Sequence, residues 1–456
     1  MYNLNIIGGV IKMEENKNSK SIIFSIVAVL LLVVVVAGAT YAYFASSSST
    51  AKQEIKTGSL AMGFTNGEFL RADSLMPISD SEIKTKAAEL DFSVTNQGTE
   101  HMNLTISLTD IEISDDLKDV DFRWGLYNKD KDLGIAFGIF KDIGTNTSVT
   151  LLTDTIIDAV LDENEEDITK NYTLRVWIHD DGANQNYMQG ETFSAKVTVD
   201  GEPVKYTPEE CFDFDLTTGT ITGYDTDWQG TTCRTDKVDG VDELAVVIPK
   251  TIDGVTVTKI GENVMNFVEG NPYVDFYNYS INKVILPDTI TQIGDGAISY
   301  NVLNHLTIPD SVTDIGSMYA VAIDVTIPES VTSGSFSATF YGDEIVESDT
   351  LVIPGSMATI VESAFGESRF EKIILMEGIT TIEKIAFSGA YGITSIEIPS
   401  TVTTIGEKAF VDGNDYGKDM TQIIVRGKTS IPSTFDENWN CKNDGCTERY
   451  NVVFRP

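Results

Sequence analysis

From Val246 onward the chain restates one phrase: "VVIPKTIDGVTVTKIGENV", "VILPDTITQIGDGAI", "LTIPDSVTDIGSM", "VTIPESVTSGSF", "LVIPGSMATIVESAF", "IILMEGITTIEKIAF" and "IEIPSTVTTIGEKAF". Pro249, Pro287, Pro309, Pro328, Pro354, Met376 and Pro399 occupy one slot in it, mostly about 22 residues apart, and a period in that range means a solenoid. In the last copy Ile396 and Ile398 point inward from a very short strand, which Pro399 ends because it has no N–H to donate. Val402 and Ile405 turn back inward, Gly406 is expected to permit a tight corner, and Ala409 with Phe410 fills the far side of the coil. Six inward side chains do not repay the ordering of a whole coil, so each copy must bury its faces against the copies before and after it.

This pattern, over roughly 245–426, resembles the BspA-type leucine-rich repeat, with "ECFDFDLTTGTITGYDTDWQGTTC" as the matching N-terminal cap. Two departures stand out. The copy around Ile327 lacks the Ile-Gly step, and 38 residues separate Pro249 from Pro287. The resemblance implies a bacterial surface protein associated with adhesion.

Side chains alternate along a strand, so one residue between the two inward ones of each coil must point outward. That column reads Val247, Ile285, Thr307, Thr326, Val352, Ile374, Glu397 and Ile424, with Lys283, His305, Asp324, Thr350, Lys372, Ser395 and Gln422 beside it. It is mostly β-branched and uncharged. Two readings follow: ordinary β-propensity on an open sheet face, or a docking surface for an extended or flat partner, with Ile285, Thr307, Thr326, Val352, Ile374, Glu397 and Ile424 as its candidate binding face. On the second, Ile285→Lys, Val352→Lys and Ile374→Glu together are expected to remove ligand or host-cell binding while leaving the melting temperature within a few degrees.

The N-terminus bears on compartment. Lys12, Lys17 and Lys20 precede an uncharged apolar run from Ile22 to Ala39, which predicts export of everything downstream. Cleavage after Ala39 or Ala42 would make it a signal peptide, and retention would make it a membrane anchor; Met13 is an alternative start. The formal net charge of -37, from 32 Lys and Arg against 69 Asp and Glu, argues against nucleic acid and anionic lipid as partners. Four cysteines in an exported chain read as two disulfides, and local pairing of Cys211 with Cys233 and of Cys441 with Cys446 is the simplest of three connectivities. A four-cysteine zinc site is the alternative, without C-x2-C spacing or a nearby His to support it.

Between about Ile55 and Val199 the apolar residues alternate in short sets: 60–64, 90–94, 104–108, 122–126, 172–178 and 193–199. Such sets, separated by turn signals, predict half-buried antiparallel strands and a β-sandwich. The insert "TSVTLLTDTIIDAVLDENEED" is ambiguous, its acidic end reading as a solvated loop. The succession "GATYAYF", "GSLAMGF", "MPISDSEIKTKAAELDFSVTNQGTEHMNLTISL", "YTLRVWI" and "GETFSAKVTV" resembles the TasA/camelysin family over roughly residues 37–203. That resemblance implies a jelly-roll-like sandwich of the cell surface or biofilm matrix.

Chemistry is sparse. His101, His179 and His305 form no H-E-x-x-H, and the latter signature is what a zinc peptidase would need. His101 follows a turn and His179 ends a strand, where a solvated edge position is expected. No nucleophile elbow or phosphate loop is present. "NKDKDLG" from Asn128 imitates a calcium loop but has Leu133 and Ile139 at the Gly and Glu positions, and "DGNDYG" from Asp412 fails at Ile423. The run from Leu161 to Asp167 could collect a cation but reads first as solvated.

The expected protein is therefore mainly β and not an enzyme, with no cofactor. Residues 1–42 are the signal peptide or anchor, 43–203 the jelly-roll-like β-sandwich, 204–244 the hinge and N-terminal repeat cap, 245–426 the leucine-rich-repeat solenoid, and 427–456 the C-terminal cap. The expected partner is an extracellular protein or glycan, with membrane contact if the leader is uncleaved. A matrix subunit self-assembling through the sandwich and an exported hydrolase are the alternative readings.

Overall fold

The computed structural model describes residues 6–7, 10–11, 62–65, 69–73, 75–141, 143, 148–159, 168–225, 233, 245–265, 281–299, 302–303, 305–318, 321–322, 325–336, 348–366, 368, 370–390, 393–411 and 420–456. The chain divides into Met1–Ser48 and Ser49–Pro456. In the first unit β1 (Ile6–Ile7) pairs antiparallel with β2 (Val10–Ile11). The apolar run 22–39 lies outside the described residues, as do the acidic run 161–167 and the segment 412–419. Among the described residues no helix is long and apolar enough to cross a membrane.

The second unit begins with two sheets around one core. Its strands are β3 (Met62–Thr65), β4 (Phe69–Asp73), β5 (Pro77–Ile78), β6 (Ala88–Asn96), β7 (Met102–Ile113), β8 (Phe122–Asn128), β9 (Leu133–Ile139), β10 (Val149–Ile157), β11 (Ile168–His179) and β12 (Thr192–Pro203). One sheet runs β10-β7-β12-β4, the other β3-β6-β11-β8-β9 with β5 added parallel to β11. The inward residues of the alternating sets, among them Phe92, Ile106, Leu174 and Val197, meet in a single buried cluster. Phe140 stacks on Phe122 and lies tilted against Phe193, its ring centroid 4.8 Å from each.

Two of these strands carry no alternation. β9, "LGIAFGI", buries Ile135 and Ala136 in the core while Phe137 and Ile139 pack on the repeats from its other face. β10 likewise turns Leu152 to the core and Ile156 to the repeats, so the insert that reads ambiguously is a strand covered on both sides. A strand without a solvent face has no reason to alternate.

The repeats coil with two parallel columns. The first holds Ala245–Val247, Lys283–Ile285, Leu306–Thr307, Val325–Thr326, Ser348–Ile353, Phe370–Leu375, Ser395–Ile398, Gln422–Arg426 and Asn451–Arg455, paired in parallel groups. The second holds Lys259–Ile260, Gln292–Ile293, Asp314–Met318, Ser333–Phe336, Thr359–Ile360, Thr381–Ile382 and Thr404–Ile405. A hairpin, Phe212–Asp215 with Thr220–Tyr224, adds to the start of the second column.

The inward positions are buried throughout: Ile396, Ile398, Val402, Ile405, Ala409 and Phe410 all belong to the continuous repeat core. Phe365, Phe387 and Phe410 stack at 5.6 and 5.4 Å, and Trp439 closes the series edge-on at 6.1 Å. The carbonyls of Pro287, Pro309, Pro328, Pro354 and Pro399 each accept from the N–H three residues on, as Pro399 does from Val402 at 3.1 Å, so the residue that ends the strand also opens the turn. Gly406 serves differently from the expected tight corner: a Cβ there would lie 2.4 Å from the Lys384 nitrogen one coil back, and Gly294 and Gly316 face the same obstruction. Glycine in this slot lets adjacent coils touch. The left-handed corner falls two residues later, at Asn263, Ser363, Ile385 and Lys408. Cys211 is bonded to Cys233 and Cys441 to Cys446, with Cα atoms 5.5 and 4.9 Å apart.

Candidate functional site

The outward column of the first strand set does leave the coil interior, yet it does not face solvent. The expectation of an exposed ladder is corrected: Ile285, Val352 and Ile374 are only 4%, 8% and 5% exposed, because the two-sheet module lies over them. Ile285 and Val247 pack with Ile156 of β10, flanked by Val204 and Tyr206, while Val352, Ile374 and Met376 pack with Phe137 and Ile139 of β9. Thr307 is buried, its hydroxyl donating to the Thr153 carbonyl at 2.8 Å and accepting from the His305 ring at 2.8 Å. Thr326 is half-buried and Ile424 buried. An apolar, β-branched strip on an acidic chain is here a sheet-to-sheet contact within one molecule.

Polar contacts border both apolar patches. The acidic residue after each of three successive prolines reaches the module: Asp288 pairs with Lys170 at 3.2 Å, Asp310 accepts from Asn128 at 2.7 Å and pairs with Lys131 at 3.0 Å, and Glu329 accepts from the Gly134 N–H at 2.8 Å. Lys250 joins Asp288 at 2.5 Å and also Asp158, and Lys283 meets Asp154 at 2.7 Å.

Glu397, the one acid of the outward column, ends in a buried charge network. His179 is not at a solvated edge: it is 3% exposed, with Nδ1 3.0 Å from Asp80 and Nε2 3.3 Å from Glu397. Arg426 lies 2.8 Å from the same Nε2 and 3.1 Å from Glu397. A neutral ring accepts from Arg426, whereas an imidazolium donates to Glu397. Burial and Arg123 disfavour the charged ring, but the two carboxylates outweigh them and raise the His179 pKa above its ordinary value. Burial would push the Asp80 carboxyl up, and His179 and Arg123 instead hold it below the ordinary range; Glu397 is lowered for the same reasons, with Arg426 adding to them. Lys372 is depressed by burial and by Arg123. Nothing local in the sequence marks this network, since Asp80 and Glu397 stand 99 and 218 residues from His179.

The three histidines are not brought together. His101 is 3.3 Å from Asp158, and His305 bonds Thr307. Among the described residues no three His, Cys, Asp or Glu converge on a point that could hold a metal ion. The segment from Asn128 that imitates a calcium loop is the turn from β8 into β9.

The second column remains open to solvent. Thr291, Thr313, Thr332, Thr380 and Thr403 are exposed, each hydroxyl donating to the carbonyl one coil back at 3.0–3.3 Å. Beside them run exposed acids, Glu262, Asp295, Glu362, Glu383 and Glu407.

Comparison with known proteins bears on the coils. Residues 272–333 and 337–421 match the family described as BspA type Leucine rich repeat region, in six copies. These two stretches are similar to BspA-type leucine-rich repeats. That region falls inside the 245–426 array, and the resemblance of residues 37–203 to TasA/camelysin has no counterpart in it. A leucine rich cell surface protein of Faecalibacterium prausnitzii A2-165 is similar at 25% identity over 49% of this chain and 55% of its own, with a TM-score of 0.33; this chain thus spans about half of that protein's length. A leucine-rich repeat protein of Bacteroides ovatus ATCC 8483 is 17% identical over 56% of this chain and 70% of its own, with a TM-score of 0.31. The T. pallidum Leucine Rich Repeat protein is 17% identical over 48% and 71%, with a TM-score of 0.20. No curated protein matches the chain.

Proposed function

We propose that this is an exported, non-enzymatic cell-surface protein whose BspA-type repeats bind an extracellular macromolecule, an adhesion function. We read its two-sheet module as a TasA/camelysin-like sandwich on the membrane side of the repeats. The observation that carries the reading is the long solvent-facing second column of a repeat array whose first column is already occupied by the chain's own module. Its regular, acid-flanked threonine surface suits a flat or extended partner with basic groups.

The test is capture of host matrix proteins, mucus and polysaccharides by the exported chain, compared with the triple variant Glu362→Lys, Glu383→Lys, Glu407→Lys. Capture by the parent and loss in the variant is the expected result. Equal capture by both would remove the second column from the reading, and capture of nothing would remove adhesion. A second reading, a matrix subunit, is favoured by β3 and β4, which end their sheets without a further strand among the described residues. Filaments of purified protein would support it.

A further inference from the structure

We propose that the contact between the two-sheet module and the repeats binds one halide ion, chloride in physiological salt, between Arg123 and Lys372. The site is independent of the adhesion reading. Its two cations come from opposite sides of the contact. On β8 Phe122 and Trp124 belong to the module core, so alternation turns Arg123 to the face that meets the repeats. Lys372 stands two residues before Ile374 in the first column and shares its direction, toward the module. Both line one cavity of about 10 Å³, together with Asp80, His179, Glu397 and Arg426. That is room for a water or a monatomic ion and not for an oxyanion.

Both cations are short of bonded counter-charge. Arg123 is 6% exposed; its Nε donates to the Val120 carbonyl at 3.4 Å, and a terminal nitrogen stands 3.7 Å from Asp121, too far for a hydrogen bond. Asp121 itself accepts from the Gln185 amide at 3.0 Å. Lys372 has no hydrogen bond among the described residues, and Arg123, Asp121, Glu397 and Lys141 act on it through space alone. Burial and the Arg123 charge press its ammonium toward the neutral form. Two like charges taken out of water beside each other are costly unless an anion touches both.

The carboxylates of the cavity are committed elsewhere. Asp80 holds His179 at 3.0 Å and the Glu377 N–H at 3.3 Å, and Glu397 holds Arg426 at 3.1 Å and His179 at 3.3 Å. Glu377 accepts from the backbone N–H groups of Ser400 and Thr401 at 2.8 and 3.0 Å. Arg426 needs no anion either, its three nitrogens being engaged by Glu397, His179 and the Asp180 carbonyl. What remains is the Lys372 ammonium and the terminal nitrogens of Arg123, donors without a bonded acceptor. A cation would be repelled by both, and a water would leave them facing one another. The net charge of -37 opposes anions at long range, but salt screens that field beyond about 8 Å, so the local walls decide.

The test follows the melting temperature of the whole chain as sodium chloride replaces sodium gluconate, an anion too large for the cavity, at constant ionic strength. It should rise by roughly 1–3 °C along a saturable curve, with bromide acting like chloride. Crystals grown in bromide should show an anomalous scattering peak between Arg123 and Lys372. Lys372→Met should weaken halide binding roughly tenfold or more by chloride NMR linewidth, the range of one charged hydrogen bond. In gluconate it should not lower the melting temperature, because it removes a buried charge that has no bonded partner. An equal fall in both salts would make Lys372 merely structural and overturn the proposal. A parent indifferent to halide, an unchanged halide dependence in Lys372→Met, or no bromide peak would do the same. If Lys372→Met does not fold, the bromide peak in the parent decides alone.

Discussion

Replacing Ile374 by Glu separates the two readings of the outward column. On an open sheet face the change would be almost silent. In the structure Ile374 is buried with Val352 and Met376 against Phe137 and Ile139. Losing that apolar contact costs about 2 kcal/mol, and a carboxylate with no partner in an apolar patch adds roughly 1–3 kcal/mol. The sum, about 3–5 kcal/mol, corresponds to a fall of roughly 4–6 °C in melting temperature for a body of this size. Differential scanning calorimetry should show it. Limited proteolysis between residues 204 and 210 should also accelerate as the module lifts from the repeats. A shift below about 2 °C with unchanged proteolysis would mean that the two-sheet module does not sit on the column at all.

The same interface should respond to pH. The raised His179 pKa contributes stability that is fully present below the unfolded value of 6.5 and is lost as pH rises through the folded value. Asp80 and Glu397 are lowered, so their contribution is present above the ordinary carboxylate range and lost as pH falls through their folded values. Melting temperature should therefore peak on the mildly acidic side, and His179→Gln should flatten the alkaline limb; an identical limb in that variant would refute the assignment. Gly406→Ala should cost about 2–3 kcal/mol, because its Cβ meets Lys384 and Glu383 backbone atoms of the preceding coil at 2.4–2.8 Å. A melting temperature equal to the parent's would show that the coils have room to part.

How much of this was legible follows from where the information sits. The repeat phrase carries its own register, so the inward set from Ile396 to Phe410 is readable from spacing and is buried throughout. The direction of the outward column is equally readable, because alternation fixes it. What covers it is not, since that depends on a second surface some 200 residues away in the chain. A trace of that surface does exist: "LGIAFGI" is apolar without alternation, and Leu151 with Leu152 and Ile156 with Ile157 come as adjacent apolar pairs, which is how a strand covered on both faces reads. Both stretches cover the outward column, Ile139 beside Ile374 and Ile156 beside Ile285. His179 offered no such trace, because its environment is assembled from Asp80, Arg123, Glu397 and Arg426, each on a different element.

The covered column also changes what the linker does. "DGEPVKYTPEE" has the composition of a hinge, and relative motion is the default for modules joined by such a segment unless they share an apolar contact. Here Thr207 exchanges two bonds with Val247, its N–H donating to the Val247 carbonyl at 3.0 Å and its hydroxyl accepting from the Val247 N–H at 3.0 Å. The linker therefore lies along the first strand of the column, and apolar patches follow at Ile285 and at Ile374. Arg426 and Arg455 close the far end on Asp180 and Asp181. Contacts distributed from the first coil to the last resist both hinging and twisting, because no single axis leaves them all intact. A partner pulling on the second column would then load the two-sheet module through the whole length of the array and not through the linker alone.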